Sequence, residues 1–104
     1  MTVLPDALVD DVARRFALLG DPTRLRVVRT LHDAGECSVQ ETAEIVGTTL
    51  ANASQHLARL RDGGVVRRRR VGRSVRYSIS DPTIEALCIT VCDGIRQRAQ
   101  ALSA

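Results

Sequence analysis

Short, neutral hydrogen-bonding side chains line one face of the segment TTLANASQHLARL, residues 48–60. The neutral members are Thr48, Thr49, Asn52, Gln55 and His56, and Arg59 is the one cation. Ser54 lies near the edge of the buried side and is a further candidate, either for DNA contact or for a structural role. Asn and Gln form paired hydrogen bonds with adenine, while Ser, Thr and Arg bond to base edges or phosphates. An ordinary solvent-facing helix surface is rich in Glu and Lys instead. The segment therefore predicts a surface that contacts nucleic acid.

A dense cluster of arginines follows this segment. Residues 59–76 hold eight Arg and a single acid, whereas the chain before and after them carries a net negative charge. A polyanion is the natural partner of such a cluster. Arg70, Arg73 and Arg76 are predicted to contact phosphates or the minor groove. Four consecutive arginines in a strand place two on each face, so some are expected to pair with acids or lie over the sheet.

Two cysteines lie four residues apart, at Cys88 and Cys92, so one helix face presents both thiols. Such a pair can bind a soft ion such as Cd(II) or As(III) with a third ligand from elsewhere, or it can sense oxidants. It can also be two small apolar residues packed at a helix seam. A disulfide within the pair is not expected, because neighbouring Cβ atoms ~5–6 Å apart exceed the ~3.8 Å that a disulfide needs. Cys37 is a third candidate, expected to be exposed beside a loop.

Capping signals and helical periodicity predict the elements that position these residues. The first helix is predicted over residues 6–19, and the second begins with Asp21 as its N-cap and Pro22 in its first turn. Ser38 and Glu41 have the spacing of a capping box at the start of a third helix. A turn at Gly47 leads into the fourth helix, whose buried side is predicted to be the apolar stripe of Leu50, Ala53, Leu57 and Leu60.

The pattern then changes to a two-residue repeat. In VVRRRRVGRSVRYSI, residues 65–79, Val75, Tyr77 and Ile79 alternate with polar residues, which predicts strand. Gly72 lies where a hairpin would turn. Two short helices with a tight turn, followed by a basic hairpin, form a winged helix-turn-helix whose second helix enters the DNA major groove. The predicted fold is mainly α with a small β-hairpin wing, made of five helices and two strands.

The whole chain, residues 1–104, is predicted to be one domain, with the helix-turn-helix over 38–61 and the wing over 65–79. Only 2% of its residues are aromatic, so the core must come from aliphatic side chains, and dimerisation is a common remedy for so small a core. The last helix, predicted over 82–102, carries an apolar stripe that is wide enough to face a second chain. Its members are Ile84, Leu87, Cys88, Val91, Cys92, Ile95, Ala99 and Leu102.

Composition also bears on the compartment. No apolar run approaches the ~20 residues of a membrane span, and MTVLPDALVDDV lacks the basic region of a signal peptide. Three cysteines form no disulfide framework, which favours a reducing cytoplasm. No acid–base pair, phosphate-binding loop or nucleophile–His pair stands out, so an enzyme is not expected.

Four motifs, in this order and spacing, resemble the ArsR/SmtB family of metal- and stress-responsive repressors. They are LGDPTRLRVVRTL, SVQETAEIVG, SQHLARLRDGGVV and RRVGRSVRYSI, and the resemblance extends over roughly residues 10–100. It implies a homodimer formed by the first and last helices, at 6–19 and 82–102. It also implies an inverted-repeat DNA operator and repression that an inducer relieves.

The resemblance also bears on the inducer. Zinc and nickel sensors of the family use an Asp and several His on the last helix. Asp81 matches that Asp, but Thr83, Gly94 and Gln97 stand where the histidines would be, so a His-based Zn or Ni site is not expected. Cadmium, lead and arsenic sensors of the family often carry a Cys at the start of the first helix of the helix-turn-helix, the one that precedes the DNA-contacting helix. Here Ser38 takes that position and Cys37 is its neighbour.

Two classes of function follow from the sequence. The first is a sequence-specific DNA-binding repressor, released from its operator by a soft metal, a metalloid or a thiol-reactive signal. The second is a winged-helix module for protein association, with weak or no specific DNA binding and no direct sensing. The basic hairpin and the neutral helix face favour the first class.

Overall fold

The computed structural model describes residues 3–103, which form five helices and one β-hairpin. The helices are α1 (Asp6–Leu19), α2 (Pro22–Ala34), α3 (Val39–Val46), α4 (Leu50–Asp62) and α5 (Pro82–Ser103). The strands β1 (Val66–Val71) and β2 (Ser74–Ile79) pair antiparallel between α4 and α5. This order confirms the predicted winged helix-turn-helix. Among the described residues, no helix combines the length and hydrophobicity that crossing a membrane requires.

Side-chain caps fix where the central helices begin. Asp21 accepts a hydrogen bond from the Arg24 backbone N–H at 2.9 Å and so caps α2. Ser38 and Glu41 form the predicted capping box, each side chain bonding to the other's backbone N–H at 3.1 Å. Gly47 ends α3 with φ at 79°, in the left-handed region that glycine enters at little cost. The resulting turn is tight enough for α4 to begin three residues later.

The core lies where α2, α4 and the hairpin meet. Leu31 of α2 packs in one buried cluster with Leu57 and Leu60 of α4. Val66 and Tyr77 bring the two strands of the hairpin into the same cluster. Burial of these apolar groups is the main favourable term in folding, so the shared cluster holds α4 and the wing in one relative orientation.

The apolar stripe of α4 is covered over only part of its length. Ala53, Leu57 and Leu60 are fully buried, as predicted. Leu50 is 58% exposed, so its predicted burial is wrong. It lies one turn before Ala53 on the same stripe, and the core does not extend that far. The apolar stripe is therefore uncovered at the first turn of α4.

The apolar stripe of α5 is mostly uncovered in the single chain. Ile84 is buried, Leu87 and Cys88 are partly covered, and every described residue from Ile89 onward is exposed. A groove of about 790 Å³ runs between α1, α2 and α5. Its lining, called the α5 groove below, includes Phe16, Leu25, His32, Glu85, Cys88, Val91, Cys92 and Ile95.

Candidate nucleic-acid interface

The first turn of α4 is held rigid by polar contacts among the residues predicted to contact DNA. The Thr49 hydroxyl accepts a hydrogen bond from the Asn52 backbone N–H at 3.1 Å and caps the helix. The Asn52 side-chain N–H donates to the Thr48 hydroxyl at 2.7 Å. Asn52 thus uses a donor of its side chain within the protein, and its placement indicates a role in shaping the turn.

The exposed face of α4 is polar and almost uncharged. Ser54, Gln55 and Arg59 are all exposed on it. His56 is half-buried, and its Nδ1 atom is buried with no hydrogen-bond partner among the described residues. The pKa of the Asp21 carboxyl is lowered chiefly by the Arg24 backbone N–H, and to a smaller degree by the nearby charges of Arg24 and His56. His56 is less accessible than Ser54, Gln55 and Arg59 on the same helix.

The arginines of the wing are divided between its two faces. Register pairs Arg68 with Tyr77, and residues directly opposite each other share a face. Because Tyr77 is buried, Arg68 and Arg70 lie on the face that continues toward the core. Arg67 and Arg69 lie on the other, outer face. This arrangement confirms the predicted division into two and two.

Two ion pairs join the outer face of the wing to the chain before and within α3. The Arg69 guanidinium donates to both carboxylate oxygens of Glu36, at 2.7 and 3.0 Å. Arg76 donates to Glu41 at 2.7 Å and to the Glu36 carbonyl at 3.3 Å. The hydrogen bond from Arg69 is the largest cause that lowers the pKa of Glu36. The backbone N–H of Ser38 is the largest cause that lowers the pKa of Glu41.

Other arginines of the wing lack such partners. Arg70 and Arg73 are exposed and have no acidic partner within residues 3–103. Arg68 shares these properties, and the sequence-based prediction omits it, although the two-residue repeat of a strand places it beside Arg70. Arg76, which that prediction includes, is half-buried and paired with Glu41. Within the described part of the chain, positive charge without an acidic partner therefore lies along the core-side face and at the tip, and on the outer face at Arg67, which donates only to the Ser78 hydroxyl at 3.4 Å.

Cys37 is buried, so its predicted exposure is wrong. It is 1% exposed, and its backbone forms a two-bond bridge with Tyr77, at 3.0 and 2.8 Å. Burial raises the pKa of the Cys37 thiol, which keeps it protonated and unreactive. Its structural place is at the junction of the wing with the helices.

Cys88 and Cys92 both line the α5 groove. Cys88 is half-buried, and burial raises the pKa of its thiol. Cys92 is exposed, with the Arg96 guanidinium 3.8 Å from its Sγ atom. Among the described residues, no three His, Cys, Asp or Glu side chains come together as a metal site. The two thiols therefore supply only part of a ligand set in one chain.

A polar pair lies in the wall of the same groove. His32 Nδ1 is 2.7 Å from Glu85 Oε2, which links α2 to α5. The hydrogen bond with Glu85 is the largest cause that raises the pKa of His32. The protonated imidazole is thus favoured in the folded chain.

Comparison with known proteins gives relatives that are described as transcriptional regulators. Residues 19–69 match the sequence profile of a family described as a helix-turn-helix domain. The transcriptional regulator KmtR of Mycobacterium tuberculosis is 42% identical, over 82% of this chain and 68% of its own length. A homolog of the cadmium resistance regulatory protein CadC from Staphylococcus aureus is 36% identical, over 74% of this chain and 64% of its own length.

Solved structures show the same similarity in three dimensions. The antimony-specific transcriptional repressor AntR superposes with a TM-score of 0.87 at 28% identity, covering 96% of this chain and 90% of that one. A homodimeric winged helix-turn-helix DNA-binding domain from Mycobacterium bovis, described as a possible ArsR-family regulator, gives a TM-score of 0.84 at 30% identity. That match covers 97% of this chain and 95% of the other.

Proposed function

Because the chain belongs to the ArsR family of winged helix-turn-helix transcriptional regulators, we propose that it is a homodimeric repressor that an inducer releases from an inverted-repeat operator. The observation that carries this proposal is the conjunction of α4, whose exposed face is nearly uncharged, with a wing that carries exposed arginines without acidic partners among the described residues. We call these two together the reading surface: the exposed face of residues 48–59, with Arg68, Arg70 and Arg73.

The reading surface suits double-stranded DNA. Gln55, exposed on α4, can pair with an adenine edge, and Ser54 and Arg59 can bond to bases or phosphates. The unpaired arginines of the wing attract the phosphate backbone without regard to sequence. Recognition is thus assigned to α4 and most of the sequence-independent affinity to the wing.

The α5 groove supports dimerisation through α1 and α5. Phe16 is 55% exposed and Ile95 is 65% exposed, on the two helices that border the groove. A contiguous apolar surface of this kind is typical of a protein interface. A two-fold dimer also presents two reading helices to half-sites about one DNA turn apart, ~34–36 Å. The relative from Mycobacterium bovis is itself described as homodimeric.

For the inducer we propose a soft metal or metalloid ion, or a thiol-reactive signal, acting at Cys88 and Cys92. Relatives are described as a cadmium resistance regulator and an antimony-specific repressor, and thiolates are the preferred ligands of such soft ions. Since the described residues of one chain offer no third ligand at this place, the partner subunit is the expected source of one. Cys37 takes no part in this proposal because its thiol is buried and protonated.

The test is DNA binding by the purified protein, titrated with Cd(II), As(III), Zn(II) and a disulfide oxidant. We expect nanomolar binding to a duplex selected from a random pool, typical of specific protein–DNA complexes. Release is expected with Cd(II), As(III) or the oxidant. Binding that is equally weak for selected and random duplexes would contradict the proposed repressor.

The sensing role has its own variant. Replacing both Cys88 and Cys92 by Ser should leave DNA affinity intact and abolish release by the inducer, since serine oxygen is a poor ligand for soft ions. A Cys37→Ser variant that folds is the matched control, and it should still release DNA. Release that persists in the double variant would place the sensor elsewhere.

A further inference from the structure

Among the helices and strands, large apolar side chains are exposed in two separate parts of the molecule. Most of them lie on α1, α2 and α5, where the proposed dimer contact accounts for them. Three others lie on the helix-turn-helix and the wing: Ile45, Leu50 and Val71. These three are not part of the lining of the α5 groove. Dimerisation therefore does not explain their exposure.

Leu50 holds a distinctive position among these three. It is the first residue of α4, directly after the Thr49 cap, and it is 58% exposed while the next residue of its stripe, Ala53, is fully buried. The uncovered end of the stripe is thus in the first turn of α4. In helix-turn-helix proteins the N-terminal residues of the second helix contact base edges. Leu50 accordingly lies at the end of α4 that is expected to contact base edges.

The chemistry of the major groove narrows what an aliphatic side chain can meet there. Adenine, guanine and cytosine present hydrogen-bonding atoms at their groove edges, whereas thymine also presents its C5-methyl group. A leucine side chain has no donor or acceptor, so it cannot form hydrogen bonds with the base edges. Packing it against the thymine methyl group removes apolar surface of both groups from water, which is favourable. The side chain is complementary to one base.

We propose that Leu50 packs against the C5-methyl group of a thymine in each operator half-site and so specifies that base. This inference rests on the proposed function, because it places α4 in the major groove. It adds an apolar contact to the polar contacts of Ser54, Gln55 and Arg59. Leu50 is thus a specificity-determining residue.

The experiment replaces thymine by uracil, which lacks only the methyl group. A binding site is first selected from a random duplex pool with the full-length wild-type protein. Each thymine of that site is then replaced singly by deoxyuridine. At one position in each half-site, the substitution should weaken wild-type binding about fourfold, which corresponds to one methyl group no longer removed from water.

The variant Leu50→Ala identifies the side chain responsible. Alanine is the best helix former, so the variant should remain folded, as thermal unfolding can verify. It should bind the thymine and uracil duplexes equally at that position. The control Ile45→Ala removes an exposed aliphatic group from α3 and should keep the fourfold preference for thymine.

Each other outcome contradicts a defined part of the proposal. A wild-type protein that never distinguishes thymine from uracil, or a Leu50→Ala variant that retains the full preference, would overturn the role of Leu50. In both cases the proposed repressor function would stand, because a selected site was bound. Failure to enrich any sequence would overturn the proposed function itself, and the role of Leu50 with it.

Discussion

The reading surface and the α5 groove differ in how far a single chain completes them. Beside the reading surface, Arg69 pairs with Glu36 and Arg76 pairs with Glu41, whereas the arginines of the surface itself are exposed without an acidic partner among the described residues. In the α5 groove, Phe16 and Ile95 expose more than half of their surface. One surface is polar, cationic and accessible to water, whereas the other is apolar and is proposed to be half of a contact between two chains.

This difference predicts two kinds of association. A polar, cationic surface binds a polyanion by releasing counterions, so its affinity falls steeply with salt. An apolar surface associates by removing hydrocarbon from water, which salts such as sulfate strengthen. DNA binding and dimerisation should therefore respond to salt in opposite directions, and the following predictions test that separation.

The largest expected effect comes from placing a charge in the α5 groove. Ile95→Asp should abolish the dimer, because a carboxylate without a partner at an apolar contact costs ~3–5 kcal/mol. Sedimentation should then give the monomer mass of 11.3 kDa in place of about twice that value. Affinity for an inverted repeat should fall at least about a hundredfold.

The control for that variant places the same charge on the same helix. Gln97 is exposed on α5 and is not part of the groove lining, so Gln97→Asp should leave the dimer intact. An Ile95→Asp protein that still sediments as a dimer would mean that the two subunits meet through another surface.

A smaller effect is expected from the free arginines of the reading surface. Removing one phosphate contact should lower the salt slope of log K by ~0.9, so a dimer without Arg70 and Arg73 should show a slope reduced by up to about 3.6. Arg69→Ala is the matched control. Because Arg69 is already paired with Glu36, its replacement should leave the salt slope unchanged. Equal salt slopes for the Arg70/Arg73 variant and for Arg69→Ala would show that pairing with an acid does not decide which wing arginines contact phosphate.

A single base contact should matter less than several phosphate contacts together. Gln55→Ala should cost ~1–3 kcal/mol of discrimination between operator and random DNA, as expected for a bidentate contact with adenine. Gln40 is an exposed glutamine on α3, and Gln40→Ala should leave that discrimination unchanged. If Gln55→Ala weakens binding to operator and random DNA equally, Gln55 contacts the phosphate backbone instead.

Local signals predict the framework well. The Asp21 cap, the Ser38–Glu41 capping box and the Gly47 turn each depend on residues within a few positions of one another, and all are confirmed. The alternation of Val75 with Arg76 likewise predicts strand, and both residues lie in β2. These features follow from backbone hydrogen bonding and periodicity, which sequence records directly.

Features that depend on distant parts of the chain are not predictable in the same way. Arg69 pairs with a residue 33 positions away, and Arg76 with one 35 positions away, so neither partner follows from local pattern. Cys37 is buried because it pairs with Tyr77 of the wing. Leu50 continues an apolar stripe in sequence, yet tertiary cover ends before it. In each case, packing decides what periodicity leaves open.

The smallest expected effects concern pH, and here the two surfaces should again differ in direction. Glu36, beside the reading surface, has a pKa lowered from 4.5, mainly by its hydrogen bond from Arg69. A carboxyl with a lowered folded pKa stabilises the fold above pH 4.5, and that contribution is lost as pH falls through the folded value. Glu36→Gln should therefore flatten the acid side of a plot of melting temperature against pH.

His32 in the α5 groove should affect the melting temperature at neutral pH and above, rather than at acid pH. Its pKa is raised above 6.5, mainly by the hydrogen bond with Glu85, so its contribution is full below pH 6.5 and is lost as pH rises through the folded value. His32→Gln should flatten the melting curve above pH 6.5 and leave the acid side unchanged. Both side chains are partly accessible to solvent, so both effects should be small and should shrink in high salt. A His32→Gln protein with the same neutral-pH dependence as wild type would show that this pair does not link α2 to α5 in solution.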